Sequence, residues 1–282
     1  ISATLADTTI TDTKKAAINT TTDGNITISS GGVEIKAATP AVTVNSNNFL
    51  INEGSISNQN TAGAIGVAVD TSAGNIVNST GIANLGGINL TGNGTGKSAL
   101  LIEGGHTFFG PITFSAVTTT VGNSTSLSGS SVAVVGDSSN IFTLFQGTTI
   151  DGDMNMGGTM SLAASDKSTT QGNTAFDIEG NLNGNFVISQ LASVSSVGNQ
   201  ARGIFITGAL TPCVNNAAAS YTCANDATAA ASTGAFANFG TISVTGTVFP
   251  NRKGGNVESG SAIVIANSIA GGFFNAGPST SN

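Results

Sequence analysis

The residues able to do chemistry are few and thinly spread. Thr91-Gly-Asn-Gly-Thr-Gly-Lys97-Ser98 comes within one residue of a phosphate-binding loop, which needs glycine at position 91. Such a loop works by aiming backbone N–H groups and a helix N-terminus at phosphate. The residues that follow, Ala99-Leu-Leu-Ile-Glu-Gly104, read as a strand. A strand supplies no helix dipole, so nucleotide binding is not expected. Asp151-Gly-Asp153-Met-Asn155 begins like a calcium loop, but its sixth position is Met156 rather than glycine and its twelfth is Leu162 rather than glutamate. Strand alternation accounts for it better, with Met154 and Met156 inward and Asp153 and Asn155 outward. His106, the single histidine, follows two glycines, has no triad-like order of carboxylate and serine around it, and reads as a turn residue.

Cys213 and Cys223 are the only cysteines, with nine residues between them. The spacing reads as a disulfide closing a small loop in an oxidising compartment, with a pair of free thiols as the alternative. Zinc is disfavoured, because the one histidine is distant and four ligands are wanted.

The elements that must position these residues are short strands. The pattern is clearest at Gly172-Asn-Thr-Ala175-Phe-Asp-Ile-Glu-Gly180, Asn185-Phe-Val-Ile-Ser189 and Gln200-Ala-Arg-Gly203-Ile-Phe-Ile-Thr-Gly208. A small residue opens a run of alternating apolar positions and a glycine closes it, which is the mark of a half-buried strand. Similar openings stand at Ala64, Ala99, Ala133, Ala175, Gly203 and Ala262, at intervals of 35, 34, 42, 28 and 59. A second element runs in phase with them: Asn52-Glu-Gly54-Ser-Ile56, Asn84-Leu-Gly86-Gly-Ile88 and Asn238-Phe-Gly240-Thr-Ile242. The eleven residues Ile82–Gly92 lie over Phe236–Gly246 with six identities. Repeats of this length without room for a crossover helix cannot bury their apolar faces singly, but stacked coils can. The expected fold is therefore all-β, a parallel β-solenoid, right-handed by analogy with known β-helices. A β-sandwich is the rival architecture, and the in-phase repetition favours the solenoid.

Composition agrees. Charged residues are 8% of the 282 and glycines number 38, while mean hydropathy is +0.21. Low charge with positive hydropathy argues against disorder, so the glycines read as turn punctuation. The net charge of −7 and the scattered basic residues leave no stripe for nucleic acid. No apolar run is long enough to span a membrane as a helix. Tryptophan is absent and tyrosine appears once against 14 phenylalanines, which points to core filling rather than sugar-stacking platforms. Residues 1–40 read as N-terminal capping turns and 41–282 as solenoid coils, with a loop insertion at about 211–233. Ile1 is not a start methionine, so a processed form or a fragment is expected.

The Asn-x-Gly-x-Ile elements, the small-residue strand openings, the Cys213–Cys223 loop and the stretches Asp23–Gly32 and Ala41–Asn48 together resemble the passenger regions of bacterial autotransporters (type V secretion). The likeness is to the glycine-, asparagine- and threonine-rich kind common in alphaproteobacteria, and it covers nearly the whole chain. The resemblance implies a secreted or surface-exposed, non-enzymatic solenoid acting as adhesin, stalk or coat. It brings no catalytic, cofactor or metal residues to carry over, and the family's membrane barrel has no counterpart in these residues. The expected partners are a cell-surface or extracellular-matrix component, or further copies of the chain in a filament or layer. The enzymatic alternative is a polysaccharide lyase or galacturonase, which resembles this chain in architecture and works with clustered Asp, Arg and Lys. That reading requires stacking to bring Arg202 to Asp177 and Glu179, since nothing basic lies beside the pairs Asp151/Asp153 or Asp177/Glu179 in sequence.

Overall fold

The computed structural model describes residues 6–35, 40–57, 62–91, 94–121, 124–164, 172–198, 200–213, 233–246 and 260–276, with the backbone alone at 35 and 116–128. Within them the chain forms strands of two to six residues and one helical turn, Thr20–Asp23. Four parallel sheets result. Sheet A has nine strands, from Thr8–Ile10 to Phe273–Asn275, and sheet B has eight, from Thr13–Lys14 to Thr241–Thr245. Sheet C has eight, from Ile18–Asn19 to Ser261–Ile265, and sheet D has five, from Ile76–Val77 to Leu210–Thr211. The chain visits A, B, C and then D, and returns to A one rung further along. This is a parallel β-solenoid.

Alternation explains which residues face in. One column of sheet A reads Ile26, Leu50, Ile82, Ile112, Met154, Phe186, Phe236 and Phe273 in strict register. Sheet B supplies Ile56, Ile88, Val132, Met160, Val194 and Ile242. Sheet C supplies Val67, Leu100, Phe142, Phe176 and Ile204. These columns merge into one continuous apolar core. Each coil buries a face that it could not bury alone, at roughly 25 cal/mol per Å² of apolar area. Phe176, Phe186 and Phe236 stack through the interior with centroids 5.4 and 5.1 Å apart.

The intervals between successive sheet-A strands are 18, 24, 32, 30, 42, 32, 50 and 37 residues. The first two rungs are short because sheet D begins only at Ile76. The 42-residue interval contains an antiparallel hairpin, Ala116–Val121 with Ser124–Gly129, inserted at the corner between sheets A and B. The helical turn closes the first rung: Asn19 Oδ1 accepts from the Thr21 N–H and Asp23 Oδ2 from the Asn19 N–H, both at 2.8 Å. This is a capping arrangement at small scale.

Register corrects two of the strand openings. Ala133 lies in strand Ser131–Val135 of sheet B, and its sheet-C equivalent is Ile141, not a small residue. Ile65 pairs with Ser98 and Val67 with Leu100, so Gly66 rather than Ala64 stands level with Ala99. Space is tightest at the two glycines of this level: a Cβ at Gly66 or Gly203 would press on the carbonyl of Ala99 or Ala262 one rung away.

Candidate functional site

The motifs that the sequence offers for chemistry lie at the corners of the coil, where most of them hold one rung to the next. At the A–B corner the N–H groups of Leu85 and Gly86 both donate to the Asn52 carbonyl, at 2.8 and 2.9 Å. The Asn52 side chain donates to Asn84 Oδ1 at 2.6 Å, and Asn84 donates onward to Ser130 Oγ at 2.7 Å. Both asparagines are buried. The same motif recurs at Asn238, which donates to Asn275 Oδ1 at 2.8 Å. In each motif the asparagine bonds along the solenoid axis and the glycine lets the next rung approach.

Of the glycine-rich stretch ending in Lys97-Ser98, the residues from Gly94 onward lie at the B–C corner, leading into the sheet-C strand Ser98–Glu103. Gly96 adopts a left-handed φ of +69°, and Ser98–Glu103 is a strand with no helix following Lys97. Lys97 is almost fully buried, and its Nζ donates to the carbonyls of Val135 at 2.8 Å and Leu90 at 3.3 Å. It holds strand ends at a point where the chain leaves the ladder. Burial pushes its ammonium below the usual lysine range. The sequence flagged Lys97 only for its phosphate-loop context, because nothing local distinguishes a lysine that faces in. Ser139, Asn173 and Ser196 continue this buried polar corner, with the Ser139 N–H donating to Asn173 Oδ1 at 3.2 Å.

His106 is exposed on the turn after sheet C; its N–H donates to Thr71 Oγ1 at 3.1 Å and its Nδ1 lies 3.2 Å from the Gly104 carbonyl oxygen. Met154 and Met156 are fully buried and Asn155 exposed, as alternation requires. Asp153 Oδ1 accepts from the Asn185 N–H at 2.7 Å, and Asp151 is buried. Among the described residues no group of three or more His, Cys, Asp or Glu is arranged to hold a metal ion. Cys213 follows the last sheet-D strand, half-buried, and is not a free thiol. Cys223 and the rest of 214–232 lie outside the described residues, so a Cys213–Cys223 bridge is not part of the described structure.

Stacking does bring Asp177, Glu179 and Arg202 onto one outer face of sheet C. Asp177 pairs in register with Phe205, and the Arg202 guanidinium lies over the Phe205 ring, 4.3 Å from its centroid. Asp177 is pushed up to about 6, first by burial and then by the charge of Glu179, against a smaller opposing effect of Arg202. Its Oδ1 is buried without a hydrogen-bond partner. Further along the same sheet Asp70 stands in register with Glu103, and burial followed by that like charge raises Glu103 above the usual carboxylate range.

A folded pKa above the unfolded value means that the fold favours protonated Asp177. That advantage is complete below about pH 4 and is lost as pH rises through about 6. Asp177→Asn is therefore expected to stabilise the chain at pH 7.5 by about 1–2 kcal/mol, discounted for partial solvent exposure, and by nothing measurable at pH 4. Thermal melts at the two pH values read this directly. A gain of equal size at both would show that the carboxylate charge is not the cause.

No helix among the described residues is long and apolar enough to cross a membrane. No protein-family model, curated protein or solved structure matches the chain.

Proposed function

We propose that this chain is an extracellular, non-enzymatic solenoid with a structural or adhesive role at the bacterial cell surface, in the manner of an autotransporter passenger. The proposal includes right-handed coiling and a Cys213–Cys223 disulfide that closes a loop on the outside of the coil. The observation that carries it is the use made of the polar motifs. Asn52, Asn84, Lys97, Asp153 and Asn173 hold one rung to another through hydrogen bonds of 2.6 to 3.2 Å. A body built this way resists local opening, because each rung is clamped on both sides. Its outer positions on sheet B include Ser55, Ser57, Asn89, Ala133, Ser161 and Ser195.

The test is to display the chain on a non-adherent bacterial host and measure attachment to epithelial cells and to matrix-coated surfaces. Attachment several-fold above the bare host, retained after brief trypsin treatment, is the expected result. Bare-host attachment combined with release of oligosaccharides from acidic polysaccharides would replace this reading by the enzymatic one. Loss of that activity in Asp177→Asn would then place it on sheet C.

A second reading, assembly end to end, is favoured by one feature. The last described rung leaves Phe273 and Phe274 50% and 55% exposed, whereas Ile10 in the first rung is fully covered. Rods about 40 Å long, from nine strands at about 4.8 Å spacing, are expected for separate chains by electron microscopy, and filaments for assembly.

A further inference from the structure

The hairpin Ala116–Val121/Ser124–Gly129 belongs to none of the four solenoid sheets. Among the described residues its two strands pair only with each other, in an unbroken antiparallel register from Ala116↔Gly129 to Val121↔Ser124. Its base is fixed. The Ser130 N–H donates to the Ser115 carbonyl at 2.7 Å, and buried Asn84 holds Ser130 Oγ at 2.7 Å. The ribbon thus leaves the A–B corner from a rigid mount and carries two six-residue edges without ladder partners.

Proteins guard such edges with charge, proline, bulges or cover. None of the first three is present here. No Asp, Glu, Lys or Arg occurs between Glu103 and Asp137, the ribbon contains no proline, and the register shows no bulge. The first strand, Ala-Val-Thr-Thr-Thr-Val, is β-branched at five of six positions and uncharged. Six residues of high β-propensity with no charge, Pro or Gly are the composition that pairs with copies of itself. The second strand, Ser-Thr-Ser-Leu-Ser-Gly, is poorer in β-branched residues and ends in glycine.

We propose that strand Ala116–Val121 is a homodimerisation edge, pairing antiparallel with the same strand of a second copy to give a four-stranded sheet. Only two residues join the hairpin strands, so Val121 and Ser124 form a hydrogen-bonded pair, and the backbone groups of 117, 119 and 121 are used inside the ribbon. Those of Ala116, Thr118 and Thr120 turn to the free edge. Pairing through these groups sets the register at Thr118↔Thr118 of the second copy, with Ala116↔Thr120 on either side. Such a contact is isologous and closes at two chains, because each edge is consumed by its twin. It contains no ion pair, so ionic strength does not weaken it. The dimer does not depend on whether the solenoid is a stalk or an adhesin, and it uses a different surface from the exposed last rung.

Sedimentation velocity of the full chain from 5 to 500 μM tests this. The expected result is a mass rising from 27.6 kDa toward twice that value, unchanged between 0.05 and 0.5 M salt. Thr118→Pro removes one outward N–H and is expected to hold the chain at one copy throughout. Thr118→Cys is the second arm: across a hydrogen-bonded pair the Cα atoms lie about 5.5 Å apart, within disulfide range. Mild oxidation should give a covalent dimer in most of the sample, while Thr125→Cys, on the other edge, should give at least tenfold less. A single copy at every concentration overturns the proposal. So does dimerisation that Thr118→Pro leaves intact, or cross-linking as efficient at Thr125 as at Thr118.

Discussion

Phe186→Ala is expected to cost about 3–5 kcal/mol, read as a lowered midpoint in guanidinium unfolding followed by circular dichroism. Phe186 is fully buried, and its ring meets Phe176 on one side at 5.4 Å and Phe236 on the other at 5.1 Å. Truncation removes the ring that links two rungs, and strands fixed by parallel ladders cannot collapse into the gap. In a solenoid this loss falls on nearest-neighbour coupling, so the rungs after residue 186 are expected to unfold at lower denaturant than those before it. Phe273→Ala is the comparison. The same side chain type in the same column is half exposed at the last described rung, and its loss should cost under about 1 kcal/mol. Equal losses at the two positions would mean that stacking through the interior is not what stabilises the coil.

Two adjacent glycines give the second large effect. At Gly86 an added Cβ would land inside contact distance of the Gly54 carbonyl oxygen and 2.7 Å from the Glu53 carbonyl carbon. Both atoms are backbone of the preceding rung, where the Gly54 carbonyl is already held by the Gly87 N–H at 2.8 Å. Neither side can yield without breaking ladder bonds, so Gly86→Ala is expected to destabilise by about 2–4 kcal/mol. At Gly87 the nearest atoms are the ends of the Asn89 and Ser55 side chains, at 3.2 and 3.6 Å. Gly87→Ala is expected to stay within about 0.5 kcal/mol of the parent. Neither glycine has a positive φ, so the contrast isolates steric approach from backbone conformation. Similar melting temperatures for the two variants would refute the tight-corner account of Asn-x-Gly.

These cases show where local pattern was sufficient. The alternation of Met154-Asn-Met156 and Phe176-Asp-Ile178 has period two, and a strand that buries one face leaves its residues no other arrangement. The in-phase elements at Asn52, Asn84 and Asn238 stand at equivalent corners because a repeat that approaches its neighbour backbone to backbone requires glycine at the same place each time. The hairpin also left a local signal, the β-rich run Ala116–Val121 followed by Gly122-Asn123, a usual hairpin dipeptide. The sequence reading assigned that stretch to the coil.

The sequence by itself determined the class of fold, the inward residues of most strands and the in-phase recurrence of the Asn-x-Gly elements. These depend on spacings of two and on steric limits that act within a few residues. Only the tertiary structure decided which openings were equivalent, because sheets B and C share the same alternation and inserted segments shift the count between rungs. The placement of Asp177, Glu179 and Arg202 on one face also needed coordinates, since Arg202 reaches them through parallel register with a strand more than twenty residues away. Lys97 was likewise decided by the fold. Its burial follows from carbonyls at Leu90 and Val135 that converge only when two coils are stacked.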